Sequence, residues 1–300
     1  MTSIYTQQAK NVRKTWMIMI VFLSTVIGVG YIASQYFGSV YILYIAIGMS
    51  LVMNVGSFWF SDKLAIKASG AKATTKTENP DLWNLVENLS ITAGLPMPKL
   101  YIINDPAPNA FATGRNKEHS AIAVTTGLMQ TLDKAELEGV LAHELAHIGN
   151  RDILVMSVAV VLVGIIAIVA DMLGRMAMFG GLNNNREGNG HPFAIVIGIA
   201  IMFVGPLAAQ MMQMAVSRKR EFLADASGAL LTRYPEGLAS ALEKISGYTH
   251  PMKRANSATA HMFISNPFGA ESKGGKMMRK MFSTHPPMEE RVALLRGMSL

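Results

Sequence analysis

The sequence contains no cysteine. That absence excludes a disulfide framework, a thiolate metal ligand and a thiol nucleophile, and it agrees with a catalytic part facing a reducing compartment. Charge is scarce as well: 16% of the 300 residues are charged, against 50% hydrophobic. Soluble domains carry about 25% charged residues, so this shortfall, with a mean hydropathy of +0.28, points to membrane spans. Acidic residues are the scarcer sign, 20 against 27 basic. A basic excess raises the question of nucleic acid, but no nucleic-acid motif is present. The basic residues fall beside apolar runs, where membrane topology explains them, so no nucleic-acid partner is expected. The 22 methionines suit apolar packing without implying metal binding.

Four apolar runs approach the roughly 20 residues that a helical span needs. They cover residues 15–33, 40–60, 153–174 and 192–212. The first is too long for a signal peptide and no small-residue cleavage site follows it, so it reads as a retained span. A tight loop at residues 35–39 makes the first pair a hairpin, and a Gly/Asn-rich loop at residues 180–190 joins the second pair. Of the 27 basic residues, only Arg175 and Arg186 fall on the loop side of the two hairpins, within residues 34–39 or 175–191. The positive-inside rule therefore puts both termini and both large polar segments in the cytoplasm.

Residues 61–152 have a soluble α/β look. Asn79-Pro80-Asp81 opens a helix with Leu82, Leu85, Val86 and Leu89 on one face. Residues 99–103 and 120–125 read as strands, the second with Ile122 and Val124 on one face. Asp133 with Glu136 is a capping box opening the next helix. Beyond the fourth run, helices are expected at residues 220–231, 235–245 and 288–296. Between the last two, residues 252–282 are polar, basic and Gly/Ser-rich, and read as a mobile loop.

The helix opened at Asp133 carries His143-Glu144-Leu145-Ala146-His147. Residues four apart share a helix face, so both imidazoles reach one metal ion. Glu144 is offset from that face and sits where a general base for a metal-activated water belongs. Random placement of this composition gives roughly 0.007 expected matches to the H-E-x-x-H pattern. The bland alternative is a chance polar face on an exposed helix. Leu141, Ala142, Leu145, Ala146 and Ile148 make the helix apolar instead, and burying two His and a Glu without partners is costly. A catalytic zinc takes a third protein ligand. Glu221 is the best supplier, and Asp225, four residues on and on the same face, then accepts the free N–H of a ligand imidazole. Alone, that pair reads equally well as an acidic edge answering Arg218 and Arg220.

These motifs resemble those of the HtpX membrane metalloproteases, relatives of the CAAX prenyl proteases. The resemblance is carried by His143-Glu144-Leu145-Ala146-His147 running into a span, a second hairpin, then Ser217-Arg218-x-x-Glu221-x-x-Ala224-Asp225, with Asn109-Ala110-Phe111-Ala112 upstream. It covers nearly the whole chain. It implies zinc, ligands at His143, His147 and Glu221, a catalytic Glu144, and proteolysis of membrane proteins in quality control at the bacterial inner membrane. His285-Pro286-Pro287 with Arg291 resembles a C-terminal motif of the family. Either residue approaches the site to stabilise an oxyanion, or His285 gates the metal, or the segment is a plain helix start with a structural arginine. Residues 109–114 and 120–125 are candidates for an edge that pairs with an extended substrate; the alternative is ordinary sheet. His119, His191, His250 and His261 read as surface or loop residues.

The resulting expectation is a membrane α-helical plus α/β protein. Four transmembrane helices in two hairpins accompany a cytoplasmic zincin-like domain assembled from two segments. The divisions are residues 1–60, 61–152, 153–212 and 213–300. Ile153, the first spanning residue, lies six positions past His147, about 9 Å along a straight helix, which places the site at the membrane surface. The expected partners are unfolded or membrane polypeptides and the bilayer. Three rivals stand beside this reading. An intramembrane zinc protease would hold its metal in the bilayer. A transporter or metal carrier would need ionisable residues inside its spans, where only Asp171 comes close. A silent scaffold would not need Glu144.

Overall fold

The fold is that of a computed structural model, which describes residues 4–180, 211, 215, 217–255, 259–269 and 286–298. Helices α1 (Ile4–Phe37) and α2 (Val40–Ser69) form an antiparallel hairpin. It turns at Gly38, whose φ of 62° is left-handed backbone open to glycine. Both are long and apolar enough to cross a membrane. At about 1.5 Å per residue they also outrun a hydrocarbon core of about 30 Å. Their burial is inverted relative to a soluble helix. Tyr41, Ile45, Val52 and Val55 are exposed, while Ser50, Asn54, Ser57 and Ser61 of α2 are buried. Small polar residues let helices approach closely where lipid, not water, is the solvent. The Ser50 and Ser57 hydroxyls and the Asn54 amide each donate to a carbonyl one turn back.

After Gly70, which caps α2 in the left-handed region, the chain builds a four-stranded sheet. The strands are β1 (Lys72–Ala73), β2 (Lys99–Ile103), β3 (Ala110–Asn116) and β4 (His119–Thr125). Their spatial order is β1-β2-β4-β3, with β2 and β4 parallel and the other pairs antiparallel. Between β1 and β2 lies α3 (Pro80–Ala93), started by proline at its first turn and stopped by left-handed Gly94. The alternation of β4 divides the sheet's two faces. Ile122 and Val124 pack with Leu82, Leu85, Val86 and Leu89 of α3 in the main core. Ala121 and Ala123 face the other way, against Ala65 and Ile66 of α2 and Phe263. The sheet is thus sandwiched between the helical layer and the ends of the membrane helices.

From β4 the chain enters a short helix, α4 (Thr126–Thr131), capped by the Thr125 hydroxyl. Then comes α5 (Lys134–Gly149), whose Asp133/Glu136 capping box is fully formed. The straight run from α5 into the third apolar stretch does not occur. Helix α5 and α6 (Asp152–Gly180) meet at 83°. Arg151 sits at the corner with a φ of 59°, so the 9 Å straight-helix distance does not apply. The C-terminal part adds α7 (Arg218–Thr232) and α8 (Pro235–Ser246), both packed on α5, and α9 (Met288–Arg296), packed on α8.

Part of the expected mobile loop is packed. Residues 259–269 include a single 3-10 turn, Ala260–Met262. Phe263 is buried edge-on against Phe111, with centroids 5.0 Å apart. His261, expected at the surface or in a loop, lies in this turn and is buried as well. These are apolar and histidine positions too widely spaced to show any period, which is why the segment reads as loop. The fourth expected span, apart from Met211, lies outside the described residues, as do the second connecting loop, His191 and His285.

Candidate metal centre

Helix α7 presses on α5 at one point. A Cβ on Gly228 would lie 2.9 Å from the backbone nitrogen of His143, closer than real contacts allow, so glycine is required there. Asp225 and Glu221 lie one and two turns before Gly228 on the same face, and the crossing brings both carboxylates to the imidazoles. His143, His147 and Glu221 each offer an atom within 4.8 Å of the others'. The two Nε2 atoms are 3.1 Å apart. Glu221 Oε1 lies 3.6 Å from His147 Nε2, and Oε2 lies 4.0 Å from His143 Nε2. Three donors each bound at about 2.0–2.2 Å in tetrahedral geometry lie roughly 3.3–3.6 Å apart. The observed separations of 3.1–4.0 Å bracket that range, so two nitrogens and a carboxylate are grouped closely enough to hold a metal ion.

Everything in this cluster is buried: His143, Glu144, His147, Glu221 and Asp225 are all at most 6% exposed. Such groups persist inside a protein only with compensating partners. Each imidazole is backed by its own carboxylate. Asp225 Oδ1 lies 2.9 Å from His143 Nδ1, an electrostatic contact that misses the direction of a linear hydrogen bond. Asp152 Oδ2 lies 3.1 Å from His147 Nδ1. Burial alone would pull the His147 imidazolium pKa down. The hydrogen bond to Asp152 and the charges of Glu221, Asp152 and Glu144 outweigh it and raise the value to about 9. Asp225 shows the opposite balance. Burial would push its carboxyl up, but Arg291 and then His143 hold it at about 2.

The two backing carboxylates are anchored from different parts of the chain. Arg291 of α9, with no exposed surface, grips Asp225 with two hydrogen bonds, Nε to Oδ2 at 2.8 Å and Nη2 to Oδ1 at 2.6 Å. Two guanidinium nitrogens are thereby committed to one carboxylate, so Arg291 serves as a counter-ion to Asp225 in this geometry. Asp152 is held from the membrane side. The Asn11 amide of α1 donates to Asp152 Oδ1 at 2.7 Å and to the Asn150 carbonyl at 2.9 Å. Gln8 donates to the Gly149 carbonyl, and Arg220 Nη1 reaches Asp152 Oδ1 at 3.3 Å.

Sequence reasoning did not find the Asn11–Asp152 support. Position i+5 is off the ligand face of a straight helix, so Asp152 reaches His147 only because the chain bends. The available signal was Gly149-Asn150, a helix-stop pair placed between the motif and the apolar run. Strand β3 is the outer strand of the sheet. Asn109 holds residues 259–269 against its start, donating to the Ser265 carbonyl and accepting from the Ser265 N–H. The Ile264 N–H donates to the Ala110 carbonyl. His119 and His250 are exposed and apart from the cluster.

Comparison with known proteins agrees with this chemistry. Residues 76–299 match the family described as "Peptidase family M48". The chain is 46% identical over 297 residues to a "Protease HtpX homolog" of Tropheryma whipplei (strain Twist), covering 98% of both chains. It is 43% identical over 303 residues to a "Protease HtpX homolog" of Caldanaerobacter subterraneus subsp. tengcongensis, covering 99% of both. Its fold is similar to the crystal structure of S. mikatae Ste24p, with a TM-score of 0.51 at 20% identity, covering 94% of this chain and 66% of that one.

Proposed function

The chain belongs to peptidase family M48, among the HtpX protease homologues, and from that premise we propose that this membrane metallopeptidase is a zinc endopeptidase of the bacterial cytoplasmic membrane that cleaves misfolded or damaged membrane proteins. The observation that carries the reading is the convergence of His143, His147 and Glu221 beside a buried Glu144. Those three residues hold the metal. When bound, zinc supplies Lewis acidity toward a carbonyl oxygen and lowers the pKa of a coordinated water. Glu144 is the general base: it takes a proton from the attacking water and returns it to the leaving amine. Asp225 and Asp152 orient the two imidazoles through their outer nitrogens. Arg291 steadies Asp225.

The outer edge of β3 receives the substrate as an added strand. This reading is supported by the place of β3 at the end of the strand order; Ile264 already takes the Ala110 carbonyl, so the added strand pairs from Ala112 onward. Residues 1–60 form the first membrane hairpin, 61–152 and 213–300 the two halves of the protease domain, and 153–212 the second hairpin. Both termini and the site are cytoplasmic, following the distribution of basic residues. The transporter alternative loses its one candidate, since Asp171 pairs with Arg175 at 2.8 Å, one turn away on the same helix.

The test is Glu144→Gln in purified protein in detergent. The variant is expected to retain zinc, read by metal analysis, while cleavage of an unfolded polypeptide falls roughly 100–10,000-fold. Cleavage at the wild-type rate would sink the assignment, and a wild-type protein without zinc would sink the cofactor.

A further inference from the structure

The corner between α5 and α6 carries a group that the proteolytic chemistry does not use. Arg151 holds a φ of 59°, a backbone region that costs a non-glycine residue about 1 kcal/mol or more. Its Nε is buried and has no hydrogen-bond partner among the described residues. No acidic side chain among the described residues pairs with it. An unpartnered buried guanidinium nitrogen on a strained corner points to an anion.

Two cavities flank this arginine. One, of about 430 Å³, is lined by Trp16, Phe58, Trp59, Arg115 and Arg151, with Glu118 also at its wall. The other, of about 550 Å³, adjoins it through Val12, Trp16 and Arg151 and adds Arg13. Volumes of roughly 300–1,000 Å³ are those of small-molecule sites. Three arginines therefore surround a space with one carboxylate. Arg115 stacks on Trp59 at 4.8 Å to the ring centroid, which leaves its N–H edge available.

The level of the site identifies the anion's source. Trp16 lies eight residues into the apolar helix that starts at Gln8, and Trp59 lies ten residues before the end of its antiparallel partner at Ser69. At about 1.5 Å per residue these are roughly 12 and 15 Å from the same end of the hairpin. Both indoles are half exposed and line one cavity. Tryptophans at one level of a hairpin mark a membrane–water interface, and basic pockets between spanning helices at that level suit anionic headgroups. We propose that Arg151, Arg115 and Arg13, with Trp16 and Trp59, form a binding site for the phosphate headgroup of an anionic phospholipid. The headgroup would brace the corner whose neighbours, Asn150 and Asp152, connect α1 to His147.

The test uses the full chain in nanodiscs of phosphatidylcholine alone or with an equal part of phosphatidylglycerol. Lipid retained after extraction is counted by native mass spectrometry, and the thermal midpoint is read in each disc. Wild type should retain phosphatidylglycerol several-fold over phosphatidylcholine and melt higher in the anionic disc. Arg151→Gly with Arg115→Gln should lose both effects, because glycine suits the left-handed corner and keeps the bend. Arg13→Gln, on the exposed side of α1, should lose part of the preference without touching the bend. Lys76→Gln, an exposed charge far along the chain, should lose none. Unchanged phosphatidylglycerol retention in the double variant overturns the site. Equal loss in Lys76→Gln reduces it to net charge. Displacement of the lipid by millimolar inorganic phosphate would make it a site for free phosphate and overturn the lipid.

Discussion

The two histidines of the site share one helix and one expected task, yet they are supported by different regions. His143 is backed by Asp225 and Arg291, both from the C-terminal part. His147 is backed by Asp152, which Asn11 of the first membrane helix holds in place. The first support is an ion pair shut away from water, bidentate and fully buried. The second is a bend stapled by the neutral amides of Asn11 and Gln8, with the buried Arg220 guanidinium as a single, longer ion-pair partner of Asp152 at 3.3 Å. Removing one partner of a buried pair leaves an uncompensated charge, whereas removing an amide donor leaves a carboxylate that still has other partners. The C-terminal support should therefore govern stability, and the membrane-side support should govern how His147 is aimed.

The largest effect should come from Arg291→Ala, which strands Asp225 inside the protein. Stability should fall by about 3–5 kcal/mol, read as a large drop in thermal midpoint in detergent. A drop no larger than that of a surface substitution would remove the distinction between the two supports. Next comes Asp152→Asn, which keeps the size of the side chain but removes its charge from His147. Zinc affinity, measured by chelator competition, should fall roughly 10–100-fold. The thermal midpoint should fall less than with Arg291→Ala, because the asparagine oxygen still accepts from Arg220, which loses only the charge of its partner. Asn11→Ala should act in the same direction but more weakly. It removes one hydrogen bond to a charged group, worth about 1.5–3 kcal/mol, and one to the Asn150 carbonyl, worth about 0.5–1.5 kcal/mol. If Asn11→Ala and Asp152→Asn act on His147 by one route, their effects on zinc affinity will not add. Full additivity would show that α1 is merely packed there.

The sequence legibility of these two supports differs for a physical reason. Asp225 was readable because it shares a helix face with Glu221, and periodicity exposes such pairs. Arg291 was visible as part of a motif, but its pairing depends on how α9 docks, which no local pattern encodes. Asn11 and Asp152 meet across 141 residues of chain and only because Arg151 adopts a left-handed corner. Local propensity disfavours arginine there, so no reading of helix signals anticipates it. The same contrast runs through the fold. The capping box at Asp133, the apolar face of α3 and the first hairpin follow from spacing and hydropathy. The two-residue strand β1 and the packing of Phe263 on Phe111 follow only from tertiary contact.

The smallest expected effect supplies the control. Glu136 sits at the start of α5, far along the helix from both supports. Its buried carboxylate accepts from the Asp133 N–H, the Ser240 hydroxyl and the Lys244 ammonium. Burial would push its carboxyl up, but these three donors outweigh it and hold the pKa below the ordinary 4.5. A carboxylate with a lowered folded-state pKa stabilises the fold fully above its unfolded value, and that contribution fades as pH falls through the lowered one. Glu136→Gln keeps the capping box, since glutamine serves at that position, and removes only the charge. Lys244 is nearly half exposed, so water screens the pair, and the loss should be about 0.5–1 kcal/mol at neutral pH. The variant and wild type should converge in stability as pH falls below about 4.5, while zinc affinity at neutral pH stays unchanged. A change in zinc affinity here would mean that the whole helix responds as one body, and that His143 and His147 are not separately supported after all.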